Sequence, residues 1–250
     1  MVEIDDLLKR PVHYQSGVPI LTRVEIEHIS ESILSKYMPD ALITQKPVDI
    51  EELVENKAKL RVDYQLLCPD GSILGETIFV DGYREVYGVD DASGFTKKQC
   101  IAVEKGTIIL DSNLVDHEIC RTNFTEAHEF GHCTLHSLFY GSNEKRACRS
   151  HRKQVLYFPH REAMTPIQWT EWQANTFAAA LLLPRPALRT TLQTFLKDNG
   201  LTWNKLKDFS LYENRIKYDK FLYFVAKTYE VSKETARLRM NKLCRIKYPN

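Results

Sequence analysis

The sequence lacks any long apolar run. Its longest uninterrupted one, residues 177–183, has only seven residues, whereas a helix that crosses a bilayer needs about 20. The N-terminus also lacks the basic start and apolar core of a secretory signal, because MVEIDDLLKR carries acids there. We therefore expect a cytoplasmic protein that has no membrane segment.

Net charge is almost absent, and cysteines are few and scattered. The 34 Lys plus Arg against 33 Asp plus Glu leave +1, which argues against a protein that coats nucleic acid with its whole surface. Six cysteines spread over 250 residues indicate free thiols rather than a disulfide framework. The hydrophobic share of 43% is enough for a folded core, which excludes intrinsic disorder.

Hydrophobic periodicity divides the chain into helical and strand-rich parts. It predicts an amphipathic helix over 24–38 and a short helix over 50–57 with a possible Asp49 cap. Short β-rich runs between 59 and 110, separated by turn signals, predict an antiparallel meander. A helix is expected to start at a Thr122 or Asn123 cap, and a second one to end before Pro184.

The strongest chemical signal is the run His128-Glu129-Phe130-Gly131-His132. On a helix, residues four apart differ by about 40° around the axis and about 6 Å along it, so both imidazoles can reach one Zn²⁺. Glu129 lies about 100° away and is well placed as the base that takes a proton from water and gives it to the leaving amine. Gly131 inside this helix suggests close approach of another element.

A third metal ligand is expected from a second helix. Glu171 begins a face that continues with small residues, including Ala174, so that this helix could press against Gly131 and supply a carboxylate. Asn175, one turn on, could orient a ligand imidazole. The plain alternative for Glu171 is a first-turn acid near the helix dipole. His136 lies too far along its helix to join the ion, so we expect it either to pack in the core or to hydrogen-bond to a metal ligand.

These motifs resemble the ImmA/IrrE family of zinc metallopeptidases. The similarity rests on residues 121–136 and 171–184, with weaker likeness at 106–111 and 73–79, and so extends over roughly 25–250. It implies that His128, His132 and Glu171 bind the metal and that Glu129 is catalytic. It also implies a substrate class, helix-turn-helix repressors whose cleavage releases their target genes. The main departure is the 39-residue interval from His132 to Glu171, which contains a basic stretch.

Two further questions stay open at the level of sequence. Cys133 and His136, together with Cys148 and His151, could form a second, structural zinc site, although a buried Cys133 and a basic loop explain the pattern as well. An oxyanion-stabilising donor is also needed, and nothing in the sequence chooses among the candidates Tyr140, Arg152, Tyr157 and His160.

The region 201–250 is helical and basic, with 12 basic against 5 acidic residues. Its last part predicts helix, a turn at Val231-Ser232, and a second helix capped by Ser232. The predicted buried stripe is Ala236, Met240 and Leu243, whereas the basic residues Lys233, Arg237 and Lys242 point away from it. This resembles a helix-turn-helix, whose second helix could enter the major groove of DNA. The favoured alternative is a helical bundle that packs beside a catalytic domain.

The sequence therefore predicts an α+β, zincin-like metallopeptidase domain at 1–200, with a small antiparallel sheet packed on helices, and a helix-turn-helix-like region at 201–250. The expected function is a zinc endopeptidase, with Mn²⁺ as a possible substitute, that cleaves a repressor protein. The alternative is a DNA-binding regulator whose metal site is structural or vestigial. An intact Glu129 favours the peptidase, because a structural site has no use for a base between its ligands.

Overall fold

The computed structural model describes residues 4–89, 96–114, 119–142, 148–151 and 164–244. The chain divides into two compact units, one made of residues 1–29 and 49–178 and the other of 30–48 and 179–250. Whether it has a domain boundary at residue 200 stays a prediction. None of the helices in the described ranges is long and apolar enough to cross a membrane.

The predicted helices are present, with some changes at their ends. The α-helices are α1 (Ile4–Leu8), α2 (Arg23–Tyr37), α3 (Ile119–Leu135), α4 (Ser137–Gly141), α5 (Pro166–Leu182), α6 (Arg185–Asp198), α7 (Trp203–Leu206), α8 (Tyr212–Tyr229) and α9 (Lys233–Cys244). The short helix after Asp49 has π-type hydrogen bonding over Glu52–Lys57, and the Asp49 carboxylate caps it by accepting from the Glu52 amide at 3.0 Å.

The predicted start of α3 at Thr122 or Asn123 is wrong. Helical backbone already begins at Ile119. The Thr122 hydroxyl does not cap the helix, because it donates to the carbonyl of Leu114 at 3.0 Å. Leu114 closes a 3₁₀ turn, Ser112–Leu114, so this hydrogen bond ties the first turns of α3 to the segment that follows the sheet.

The strands are β1 (Tyr14–Gln15), β2 (Val18–Pro19), β3 (Arg61–Gln65), β4 (Ile73–Thr77), β5 (Gly82–Val89), β6 (Thr96–Val103), β7 (Thr107–Asp111) and β8 (Cys148–His151). Strands β1 and β2 form a small hairpin, and β5 and β6 form a longer one. The four remaining strands form one sheet in the order β3-β7-β4-β8. The α+β class is therefore confirmed.

The sheet is mixed, so the prediction of a wholly antiparallel meander is wrong. Strand β3 pairs with β7 in parallel, whereas β4 is antiparallel to both β7 and β8. All five residues of β7 are buried, and such a strand is most stable between two neighbours. The last strand of the run thus takes the centre, and it separates β3 from β4.

The second unit contains the two helices and the intervening turn that were predicted for its last part. Glu230 ends α8 in the left-handed conformation, and the Ser232 hydroxyl accepts from the Thr235 amide at 3.0 Å, as an N-cap does. Ala236 and Met240 are buried as predicted, whereas Leu243 is only half-buried. Buried aromatic residues of α8 complete the packing of this unit, namely Tyr218, Phe221 and Tyr229.

Candidate metal centre and active site

Two helices of the first unit bring together three side chains that could hold a metal ion. His128 and His132 lie on α3, and their Nε2 atoms are 3.0 Å apart. Glu171, near the start of α5, places Oε2 at 3.3 Å from His128 Nε2 and Oε1 at 3.4 Å from His132 Nε2. Among the described residues, these three form the group of side chains that could hold a metal ion.

The spacing of these atoms suits a single small cation. Zinc binds imidazole nitrogen and carboxylate oxygen at about 2.0–2.2 Å. Two ligands at a tetrahedral angle then lie about 3.3–3.5 Å apart, which is close to the nitrogen–oxygen distances here. Both histidines are buried and the carboxylate of Glu171 is nearly so. The three side chains are therefore already close together in a site that is shielded from solvent. The residues therefore fit the implied metal.

Gly131 allows α5 to come close enough to supply Glu171. A Cβ atom at position 131 would lie 3.0 Å from Cδ1 of Phe177 and 3.3 Å from Cα of Ala174. The rings of Phe130 and Phe177 meet edge to face beside it, with centroids 5.7 Å apart. A larger side chain at 131 would push the helices apart and draw the carboxylate away from the imidazoles.

Each imidazole has a further partner on its other ring nitrogen. His128 Nδ1 lies 3.2 Å from Asn175 Oδ1, the residue expected to orient a ligand. His132 Nδ1 lies 3.0 Å from Nδ1 of His136, whose Nε2 is 3.1 Å from Oε1 of Gln173. His136 is thus next to the metal-binding group without belonging to it. Hydrogen-bond partners of this kind set the orientation of the ligand rings in metal sites.

Glu129 lies beside the metal-binding group and is fully buried. Strand β4 faces it with two residues. The Thr77 hydroxyl donates to Glu129 Oε2 at 2.6 Å, and Gly75 leaves the room that the side chain occupies, since a Cβ there would be 2.9 Å from Oε1. Within the described part of the chain, Oε1 has no hydrogen-bond partner. One oxygen is therefore held and the other is available for a proton.

Burial and the neighbouring charges act on these groups in opposite directions. Burial raises the pKa of Glu129, and His128, His132 and the hydroxyls of Thr77 and Ser150 offset part of that rise. Burial also disfavours the charged form of Glu171, but the two imidazoles outweigh it and lower the pKa of this carboxyl. The site thus contains one ionised carboxylate among the ligands and one whose proton affinity is increased, which suits a ligand and a base respectively.

The other predicted candidates do not join this centre. The Tyr140 hydroxyl is buried and within 3.1 Å of Thr170 Oγ1, and its ring packs edge-on against His132, so it has a packing role. Cys133 and Cys148 are buried thiols, whereas His151 is exposed. These residues form no second metal group within the described ranges. Arg152, Tyr157 and His160 lie outside the described residues.

Comparison with known proteins agrees with this arrangement. The Peptidase_M78 family model, described as an IrrE N-terminal-like domain, matches residues 90–241, which is more than half of the chain. The chain belongs to this family, and the predicted relationship to the ImmA/IrrE metallopeptidases is confirmed. The chain has no match among curated proteins. The family supports peptidase activity in general and leaves the substrate open.

Gly75, Thr77 and Gln173 are the site residues that the sequence did not point to. Thr77 is 52 positions from Glu129, and Gln173 bonds to a residue 154 positions away, so no local pattern could reveal these contacts. A weak signal existed for Gly75, because a glycine inside a β-strand often marks close approach by another group.

Proposed function

We propose that this protein is a zinc-dependent endopeptidase that hydrolyses a peptide bond in a protein substrate. The observation that carries the proposal is the position of Glu129. Its buried carboxylate adjoins two imidazoles and a third acidic ligand, with Oε2 held by Thr77 and Oε1 without a partner among the described residues.

His128, His132 and Glu171 would hold the metal. When bound, zinc polarises a substrate carbonyl and lowers the pKa of water to about 7. Glu129 takes the proton from the attacking water at Oε1 and then delivers it to the nitrogen of the leaving amine. Thr77 keeps the other oxygen fixed, so that the base does not have to reorient between the two transfers.

The donor set also argues against a purely structural metal. Structural zinc sites usually have four protein ligands, most of them cysteines, whereas catalytic sites have three and keep one position open. Here three side chains converge within the described residues, and neither Cys133 nor Cys148 joins them. A buried carboxylate beside them, raised in proton affinity, would only destabilise a structural site.

The substrate proposed is a helix-turn-helix repressor, cleaved in the cytoplasm to release its target genes. Support for this part is the family membership alone. The same reasoning leaves the metal open between zinc and manganese, because imidazole and carboxylate ligands accept several first-row ions. Metal analysis of the protein purified from its own host would decide the metal.

The test compares two glutamates of α3. The zinc-loaded protein is incubated with helix-turn-helix repressors of its host, beginning with any that is encoded near its gene, and the products are identified by mass spectrometry. Glu129→Gln should bind zinc as the wild type does and lose cleavage by at least about 100-fold, the lower end of the range for general acid–base catalysis. Glu126→Gln, a buried position three residues away that is not among the ligands, is the control and should still cleave.

Cleavage by Glu129→Gln at the wild-type rate would refute the assigned role. If the wild type cleaves none of these repressors, a library of all helix-turn-helix proteins from the same host provides the next substrates. Absence of cleavage across that library would refute the proposed substrate class and leave the metal site to be judged by zinc binding.

DNA binding by α8 and α9 is the weaker alternative. Lys233 lies 2.6 Å from Asp219, and Arg237 forms two hydrogen bonds with Glu234. Two basic side chains of the second helix are thus already paired with acids of the same unit, which lowers the positive potential available to phosphates. Salt-dependent DNA binding that is lost in Arg237→Ala would reverse this ranking.

A further inference from the structure

A row of polar groups leads from the N-terminal hairpin to the metal-binding group. The Pro19 carbonyl accepts from Gln173 Nε2 at 2.7 Å. Gln173 Oε1 is 3.1 Å from His136 Nε2, and His136 Nδ1 is 3.0 Å from His132 Nδ1. The side chains of Gln173, His136 and His132 are all buried, so water cannot easily replace any of these hydrogen bonds.

The direction of this row is set at its far end. A backbone carbonyl can only accept a hydrogen bond, so the NH₂ group of Gln173 must face Pro19. Its Oε1, which can only accept, then faces His136. The amide of Gln173 therefore has one possible orientation, and this removes the usual ambiguity between its oxygen and nitrogen.

The orientation of Gln173 determines the protons on both imidazoles. His136 must donate from Nε2–H to Gln173 Oε1, which leaves a lone pair on its Nδ1 because a neutral imidazole carries one N–H. That lone pair accepts from Nδ1–H of His132. The Nε2 atom of His132, on the metal side, then carries the lone pair that a metal requires. It faces Nε2 of His128 at 3.0 Å, a contact between two acceptors that a bound cation would turn into two ligand bonds.

We propose that Gln173 and His136, anchored by the Pro19 carbonyl, are positioning residues that hold His132 in the Nδ1–H tautomer and so keep its Nε2 ready for the metal. This inference rests on the proposed function for its purpose. The residues themselves are specified by geometry alone, and the anchor Pro19 lies outside the range 90–241 that the family model covers.

Local structure supports a dedicated role for His136. The residue lies at the break between α3 and α4 with φ −122° and ψ 15°, and this break turns its ring back toward His132. The opposite tautomer would place the Nε2 lone pair of His136 against the oxygen of Gln173, two acceptors at 3.1 Å.

The first test uses metal-free wild-type protein. Nitrogen-15 NMR of histidine-labelled protein at pH 8 distinguishes the two neutral tautomers of each ring. The proposed hydrogen-bond relay, which runs from the Pro19 carbonyl through Gln173 and His136 to His132, requires His132 as the Nδ1–H form and His136 as the Nε2–H form. A His132 ring in the Nε2–H form would overturn the proposal, whether or not the protein cleaves any substrate.

The second test measures zinc affinity by competition with a chelator. Gln173→Leu removes the acceptor for His136, and His136→Phe removes the acceptor for His132. Each should weaken zinc binding by about 10- to 100-fold, as loss of an outer-shell partner does, and Gln173→Leu should also populate the other His132 tautomer. Tyr140→Phe is the matched control, since it removes a buried hydroxyl near His132 that is outside the relay, and it should bind zinc within about twofold of wild type.

The outcomes separate the two proposals. Zinc affinity in folded Gln173→Leu equal to that of wild type would overturn the relay. If a variant does not fold, the nitrogen-15 NMR measurement of the wild-type tautomers still tests the relay. If the wild type binds no zinc, the proposed function fails, whereas the tautomers remain a valid test of the relay.

Discussion

Gly75→Ala tests whether strand β4 positions the base. The added Cβ would lie 2.9 Å from Glu129 Oε1, 3.0 Å from Glu129 Cγ and 3.0 Å from Thr125 Cγ2. Both neighbours are buried, so neither can swing into solvent, and one of them must shift by several tenths of an ångström. The substitution therefore acts directly on the carboxylate while leaving its chemistry unchanged.

The expected magnitudes follow from two opposing effects. Overpacking of a buried position lowers the free energy of unfolding by about 1–3 kcal/mol. Replacing glycine by alanine raises it by about 0.4–1 kcal/mol, because the unfolded chain loses conformational entropy. We expect a net loss of about 1–2 kcal/mol in the free energy of unfolding. Because displacement of a reacting group by about 1 Å can cost 100-fold in rate, turnover should fall by about 10- to 100-fold with zinc affinity nearly unchanged.

Urea denaturation in two backgrounds isolates the contact. In Glu129→Ala the clashing carboxylate is gone, so Gly75→Ala should cost at least about 1 kcal/mol less there than in the wild type. Gly82→Ala is the matched control, because its Cβ would meet nothing closer than an Arg84 nitrogen at 3.8 Å, and it should be nearly neutral. An equal cost of Gly75→Ala in both backgrounds would refute the reasoning.

Three other predictions concern the base, a buried acid and the metal. Thr77→Val removes the donor to Glu129 Oε2 that helps to lower its pKa, so the acidic limb of the kcat/KM profile should move to higher pH, and an unmoved limb would contradict the assigned hydrogen bond. Burial, and then acids such as Glu51, raise the pKa of Glu126 to about 8. The folded protein therefore binds an extra proton below that pH and loses stability as the pH rises toward 8. Glu126→Gln should increase the free energy of unfolding by about 1–3 kcal/mol at pH 8 and by less at pH 5, as urea titrations at both values will show. Metal analysis should find one zinc per chain, unchanged in Cys148→Ser, and zinc at 1,000 times its Kd should add about 4 kcal/mol of stability that a chelator removes.

The metal-binding group was predictable because its parts are local. Two histidines four residues apart on a helix must share a face, and Gly131 beside small residues on another helix indicated which second helix approaches. The structure places Glu171 and the two histidines accordingly. Strands β3 to β7 were also predictable one by one, since each short β-rich run between residues 59 and 110 contains a strand in the structure, whereas β1, β2 and β8 were not predicted.

What could not be predicted depends on contacts between distant parts of the chain. The strand order of the sheet is an example, because the residues of β7 do not indicate that β3 and β4 pair with it. The same holds for Gln173. A buried glutamine on an apolar helix is ambiguous in sequence, and its meaning appears only when Pro19 and His136 are found on either side of it.

Strand β4 links the base to the rest of the sheet through the alternation of its side chains. Gly75 and Thr77 face Glu129, whereas Glu76, between them, points to the other face and is buried against Arg84 and Arg149. A slip of one residue would bury the wrong side chains on both faces at once. A buried carboxylate with two arginine partners is costly to break, about 3–5 kcal/mol when one side is removed. The ion pairs therefore favour the observed register of β4, in which Gly75 and Thr77 face Glu129.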